Sequence, residues 1–298
     1  MALSQWGDAC ITLALDTSRI FTTWCLVCVS MTYRGRAIPL AWTLIRHSSA
    51  TVSFAVIRRV LVSALNLLSH LPFLEHIRLD ADRGFNDLRL MALLSAYGWH
   101  WNIRSKGHFV VYDAQGKNLG RVREQLSQHG TPVFLEQVYI TKKKYGPVNL
   151  AAYFPPRAKE PWLIVSNQPC GMHTFQEFRG RFQIEENFLD LKSGGFHLED
   201  TALADTSALD GLMFVLALAT IFVVGQGVRN VDEGERESVD PHSQRGLSYP
   251  QIGWRDLRRK LSLGQPLCIQ IVISPTPDPA PSRRPRSPPV THSPPNLS

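Results

Sequence analysis

Residues 11–44, ITLALDTSRIFTTWCLVCVSMTYRGRAIPLAWTL, read as three strands in succession. Within 11–16, Ile11, Leu13 and Leu15 alternate with Thr12, Ala14 and Asp16, the period-2 pattern of a strand that buries one face. Residues 24–32 and 37–44 are β-branched and aromatic runs, and Tyr33-Arg34-Gly35-Arg36 between them predicts a hairpin. Cys25 and Cys28 lie three apart on one of these strands and so point to opposite faces. With five cysteines and no second Cys/His pair, they read as buried strand thiols of a reducing compartment, not as metal ligands.

Working outward, Ser49 is placed to cap a helix reaching about residue 71, with Phe54, Ile57, Val60, Leu61 and Leu65 on one stripe. Residues 76–82 form a fourth strand, 87–97 a second helix and 99–104 a fifth strand. Three strands, helix, strand, helix, strand is the order of a ribonuclease H-like core, an α/β fold with a mixed sheet flanked by helices. From 106 to 170, short β-rich runs (HFVVY, TPVFLEQVYIT, VNLAAYF, WLIVSN) alternate with turn signals, which predicts an all-β insertion. Helical periodicity returns at 174–192. The expected division is 1–105 and 171–235 as two parts of the core, 106–170 as the insertion and 236–298 as a C-terminal extension.

Composition excludes other classes. At 298 residues, 44% hydrophobic and 19% charged, the chain is no collagen, coiled coil or disordered polymer. Thirty-two Lys and Arg against 25 Asp and Glu give +7, which suits a polyanionic partner without requiring one. Nine of the 20 prolines fall in the last 24 residues beside Arg283, Arg284 and Arg286, a disordered tail by composition. The apolar run 211–225 is shorter than the roughly 18–20 residues that cross a bilayer, so a fully buried core helix is expected. With no signal peptide apparent, the expected place is the cytoplasm, at the nucleoid and off the membrane.

Three acidic positions carry the chemistry. Asp16 closes the first strand, and Asp80 and Asp82 share one face of the fourth, with Asp82 at its end. Either strand-end acid could simply shape a turn. On a helical wheel of 175–192, Arg179, Gln183, Glu186, Asn187 and Asp190 fill a polar arc; Phe182, Ile184, Phe188, Leu189 and Leu191 fill an apolar one. Arg181, Glu185 and Lys192 fall inside the apolar arc, where charge is expensive unless paired or bound. The wheel turns Glu185 inward and Glu186 to water. A structural ion-pair network is the alternative to a functional site. Two strand-end aspartates and an inward glutamate form a hard-oxygen set suited to Mg²⁺ or Mn²⁺, with two such ions about 3.5–4 Å apart able to act on a phosphodiester.

Phe178-x2-Arg181-x3-Glu185-x6-Lys192 resembles the Y-x2-R-x3-E-x6-K signature of DDE transposases of the bacterial insertion sequence 4 group, with Phe for Tyr. LALDTS around Asp16 and LDADRGF around Asp82 are similar to that group's aspartate motifs, and the likeness covers roughly residues 10–230. The resemblance implies Asp16, Asp82 and Glu185 as catalytic, metal-binding triad. It implies Phe178, Arg181 and Lys192 as DNA contacts, and Trp162 as an insertion indole that stacks on a flipped base. Trp162 reads equally as core of the insertion. Lys142, Lys143 and Lys144 could track DNA or simply form a solvated hairpin tip. The partners implied are transposon-end and target DNA, bound by a homodimer. Relatives carry a helical end-binding region where only 15 residues precede Asp16 here, so a core shortened at its N-terminus is expected. A nuclease of the same fold and a non-catalytic DNA-binding remnant are the competing readings. A glycosidase would leave Arg181 and Lys192 unexplained.

Overall fold

The computed structural model describes residues 10–281 except 48–51, 72–75, 127–129, 156–157, 202, 204, 272, 275 and 277. It divides into two units, Met1–Ile221 and Phe222–Ser298.

The first unit is built on β1 (Cys10–Ile20), β2 (Trp24–Tyr33), β3 (Arg36–Arg46), α1 (Phe54–Leu68), β4 (His76–Ala81), α2 (Leu88–Ala96) and β5 (His100–Arg104). These five strands lie in the order β3-β2-β1-β4-β5. β2 runs antiparallel to β1 and β3, while β1, β4 and β5 are mutually parallel. That is the ribonuclease H-like arrangement. Leu13, Ala14 and Leu15 are all fully buried, because helices cover both faces of β1. Ser53, not Ser49, stands at the N-cap of α1; Ser49 lies outside the described residues.

The insertion is all-β, and it is not a separate layer. It supplies β6 (Val110–Tyr112), β7 (Asn118–Arg121), β8 (Val133–Ile140), β9 (Tyr145–Tyr153) and β10 (Trp162–Ser166). β10 pairs antiparallel with β5, and the order continues β10-β9-β8-β6-β7, so one sheet of ten strands results. β7 carries Asn118 and Gly120 and gives no strand signal in sequence.

The expected single helix over 175–192 is three helical geometries end to end. α3 (Met172–Phe178) passes into a 3₁₀ turn at Arg179–Arg181, then α4 (Phe182–Leu189), then a π turn at Asp190–Gly194. Tight and wide turns advance by angles other than 100° per residue, so one wheel cannot hold across them. Hence Leu189, expected in the core, is 52% exposed, and Asn187, expected in water, is 1% exposed. Ile184 and Phe188 bury against Ala14, Leu26, Cys28, Ala37 and Leu44, which seats α4 over β1–β3. α1 packs on β2 and β3 from the other face and touches α2.

α5 (Thr206–Asp232) corrects the expectation of a short, fully buried helix. It has 27 residues and is long and apolar enough to cross a membrane by length and composition. Leu209, Met213 and Leu216 join the core beside Phe188, whereas Phe214, Val215 and Leu218 are exposed. In the second unit the rest of α5 meets α6 (Tyr249–Ser262) so closely that a Cβ on Gly227 would overlap the Tyr249 carbonyl. One on Gly253 would overlap that of Val223. Asp240 is a fully buried hub there, accepting from Gly246 N (2.9 Å) and Arg236 Nη1 (3.2 Å) and paired with His242 Nδ1 (2.6 Å). The start of the proline-rich tail is held by hydrogen bonds from Arg245 and Tyr249 to Asp278. Arg283, Arg284 and Arg286 lie outside the described residues.

Candidate functional site at the ends of the parallel strands

The register brings the two aspartates side by side. The parallel ladder of β1 and β4 ends at Leu15↔Ala81, so Asp16 and Asp82 come next on neighbouring strands and share the face of Ala14 and Asp80. Asp16 does not end its strand: β1 runs on to Ile20, paired with β2 alone. Its Oδ1 accepts from Thr17 N (2.8 Å). Asp82 precedes a 3₁₀ turn, Arg83–Phe85, but its side chain makes no cap bond, and its buried Oδ1 accepts no hydrogen bond. Neither carboxylate is there to shape a turn.

Arg181 stands between them and the helix. Its Nη1 donates to Asp16 Oδ2 (2.9 Å) and its Nη2 to Glu185 Oε1 (2.6 Å), while Nε has no partner. The side chain is 2% exposed, with its guanidinium carbon 4.6 Å from the Phe182 ring centroid. Burial alone would lower the Arg181 pKa, but the charges of Asp16, Glu185 and Asp82 outweigh it and raise it. All three expected carboxylates therefore act on one guanidinium. Burial pushes the Asp16 carboxyl up to about 6, against the pull of Arg181 and the Thr17 N–H, with Glu185 and Asp82 adding repulsion.

Two flanking groups extend the cluster. Asp80, fully buried one step below Asp82, accepts from Asn102 Nδ2 (3.0 Å), and its Oδ2 has no hydrogen-bond partner. Burial lifts its carboxyl to about 7 despite Arg78 and Asn102. On the other side Arg104 Nη1 lies 3.8 Å from Asp82 Oδ1, and burial holds Arg104 below the ordinary arginine value. Arg104 also pairs with Glu160 (3.4 Å), which holds Arg83 at 2.8 Å.

Glu185 and Glu186 differ in direction, not in burial: their side chains are 28% and 24% exposed. Glu185 joins Arg181. Glu186 does not face open water, as the wheel implies, but reaches Arg36 Nη1 (3.5 Å), a buried cation whose Nε donates to Asp190 (2.8 Å). Arg36, Glu160 and Arg83 carry no sequence signal, because their partners are brought near only by sheet pairing and helix packing.

The remaining expected residues divide. Lys192 stands apart from the carboxylates and pairs with Glu199 (3.6 Å). Phe178 is 1% exposed, so in this conformation it offers DNA no surface; it packs with Phe175, Ile164 and Ala151. Trp162, partly buried, lies 6.0 Å from the Phe178 ring and 6.0 Å from Phe182, with Arg179 over it at 5.9 Å. Lys142, Lys143 and Lys144 are exposed in the β8–β9 turn. Lys142 and Lys143 line a shallow groove with Leu88, His108 and Phe109, and Lys144 sits 5.2 Å over Tyr112.

The donor chemistry at Asp16, Asp82 and Glu185 suits a hard divalent cation, but the arrangement does not. Among the described residues, no three His, Cys, Asp or Glu side chains stand close enough together to hold a metal. The Arg181 guanidinium takes the place between Asp16 and Glu185 where a cation would lie.

No family model and no curated protein matches this chain. Among solved structures it is similar to Ciona intestinalis endonuclease V in complex with a 24mer DNA containing an inosine followed by a ribo-adenosine. That likeness has a TM-score of 0.33 and 14% identity, over 59% of this chain and 82% of that one. It is also similar to Marinitoga piezophila Argonaute in complex with 5′ OH guide RNA and target DNA, with a TM-score of 0.28 and 9% identity. The second covers 58% of this chain but spans only 25% of the Argonaute chain. Both likenesses are loose.

Proposed function

We propose that this chain is the catalytic core of a DDE transposase of the bacterial insertion sequence 4 group. It would hydrolyse phosphodiesters at element ends and join the freed 3′-hydroxyl to target DNA, as a homodimer on DNA. The reading is supported by the meeting of Asp16, Asp82 and Glu185, far apart in sequence, around one buried arginine at strand ends of a ribonuclease H-like sheet. These three carboxylates would hold Mg²⁺ or Mn²⁺, which when bound activates a water or hydroxyl and stabilises the leaving oxygen. Arg181, Lys192 and the Lys142–Lys144 turn are the proposed phosphate contacts, and Trp162 the proposed base contact.

A second reading has a specific observation in its favour. Arg181 satisfies Asp16 and Glu185 as an internal ion network would, which fits a DNA-binding remnant without turnover. The deciding experiment incubates the protein and Mg²⁺ with a labelled duplex carrying the DNA that flanks its gene, together with a plasmid target. Label joined to plasmid supports transposition. Cleavage without joining points to a nuclease of the same fold. Salt-sensitive binding with no cleavage points to the remnant.

A further inference from the structure

We propose that Arg181 is an internal counter-ion that closes the carboxylate site, and that DNA opens the site to metal by drawing the guanidinium onto a phosphate. This rests on the reading that Asp16, Asp82 and Glu185 take a divalent cation.

Three observations carry it. The guanidinium bridges Asp16 and Glu185 at 2.9 and 2.6 Å and is electrostatically coupled to Asp82, so one +1 group spans the whole acidic set. A divalent ion cannot share that position, since like charges at contact distance in a buried site repel strongly. Arg181 is also incompletely satisfied: its buried Nε has no partner, so a phosphate that accepts from Nε and one Nη offers a bidentate bond the closed state lacks. Finally, Arg181 sits on the 3₁₀ turn between α3 and α4, next to Gly180, around whose Cβ position there is open space. Short 3₁₀ segments hold weaker hydrogen bonds than α-helix and are common hinge points.

Charge accounting favours the exchange. Moving Arg181 to a phosphate leaves three carboxylates without their +1 partner, and a +2 ion replaces it, so no buried charge is stranded. Because the coupling is thermodynamic, it is reciprocal: DNA should tighten metal binding by the factor by which metal tightens DNA binding.

The test is Mn²⁺ binding by the full-length chain, read by electron paramagnetic resonance, with and without a 30-base-pair duplex. Glu185→Gln with the same duplex sets the Mn²⁺ taken up by DNA itself. The wild type should bind Mn²⁺ at least tenfold more tightly with DNA than without. Arg181→Gln should bind it at least tenfold more tightly than wild type without DNA, and gain less than threefold from DNA. Arg181→Lys should fall between them. Wild-type binding that is Glu185-dependent yet indifferent to DNA overturns the counter-ion role and leaves the metal reading standing. Absence of Glu185-dependent binding in every form overturns both. If Arg181→Gln fails to fold by circular dichroism, the wild-type comparison alone decides.

Discussion

Replacing Glu185 and Glu186 separately by Gln isolates direction from every other variable. The two are adjacent on α4, equal in charge and nearly equal in exposure, so helix propensity and net charge change alike. In Glu185→Gln the amide oxygen still accepts from Arg181, and what is lost is the charge. A charged hydrogen bond contributes about 1.5–3 kcal/mol and a neutral one about 0.5–1.5, so the cost is about 1 kcal/mol, less the screening due to Glu185's partial exposure. In Glu186→Gln a 3.5 Å contact weakens while Arg36 keeps Asp190 at 2.8 Å, for about 0.5 kcal/mol or less. Both variants should fold, with urea-derived stabilities within about 1 kcal/mol of wild type. Their Mg²⁺-dependent cleavage of labelled duplex should diverge. Glu185→Gln loses a proposed metal ligand and more than about a hundredfold in rate, at least the size of a lost supporting contact. Glu186→Gln stays within about threefold, the equivalent of its small energetic cost. Equal losses, or a larger loss from Glu186, would refute the assignment of Glu185 and with it the site.

Further outcomes follow from other parts of the molecule. Gly227→Ala or Gly253→Ala should destabilise the α5–α6 contact by more than about 2 kcal/mol in urea melts, since the added methyl meets backbone that cannot rotate away. Asp240 is depressed in the folded state: burial alone would raise it, but hydrogen bonds from His242, Gly246, Leu247 and Arg236 outweigh that. Its contribution is therefore present above the unfolded value of about 3.9 and lost as pH falls through that value towards the folded one, and Asp240→Asn should flatten the acid limb of a stability–pH curve. Residues 106–170 hold nine Lys and Arg against four Asp and Glu, +5 of the total +7. Replacing Lys142, Lys143 and Lys144 by Ala should accordingly reduce the slope of log affinity for DNA against log salt by up to about 2.7, and an unchanged slope would remove the turn from the interface.

Much of the first unit was legible because its strands obey simple periods. The β1–β3 hairpins, the β4–α2–β5 unit and the location of Asp16 and Asp82 follow from alternation and turn residues, which are local properties. What was not legible is non-local or off-period. Nothing in the sequence says that β10 pairs with β5, which turns an expected appendage into a continuation of the sheet. The 3₁₀ and π turns around α4 break the helical wheel, so Leu189, Asn187 and Glu186 were misplaced while Arg181 and Glu185 were rightly brought inside. Arg36 carries the same lesson: a cation opening an edge strand reads as solvated until the packing of α4 delivers Glu186 and Asp190 to it.

The ten-stranded order also determines how the two open margins of the sheet are guarded against unwanted pairing. β3, at one margin, is 11 residues long but carries Pro39 in its middle and arginines at both ends, all of which discourage another chain from adding to it. β7, at the other, is only four residues, with Gly120 and Arg121. Excising residues 106–161 as though they were a cassette would make β10 the new margin, and Leu163, Ile164 and Val165 are fully buried there. Such a shortened chain would present an apolar strand with free backbone groups and should aggregate, so the β-rich half cannot be shed without replacing its guard.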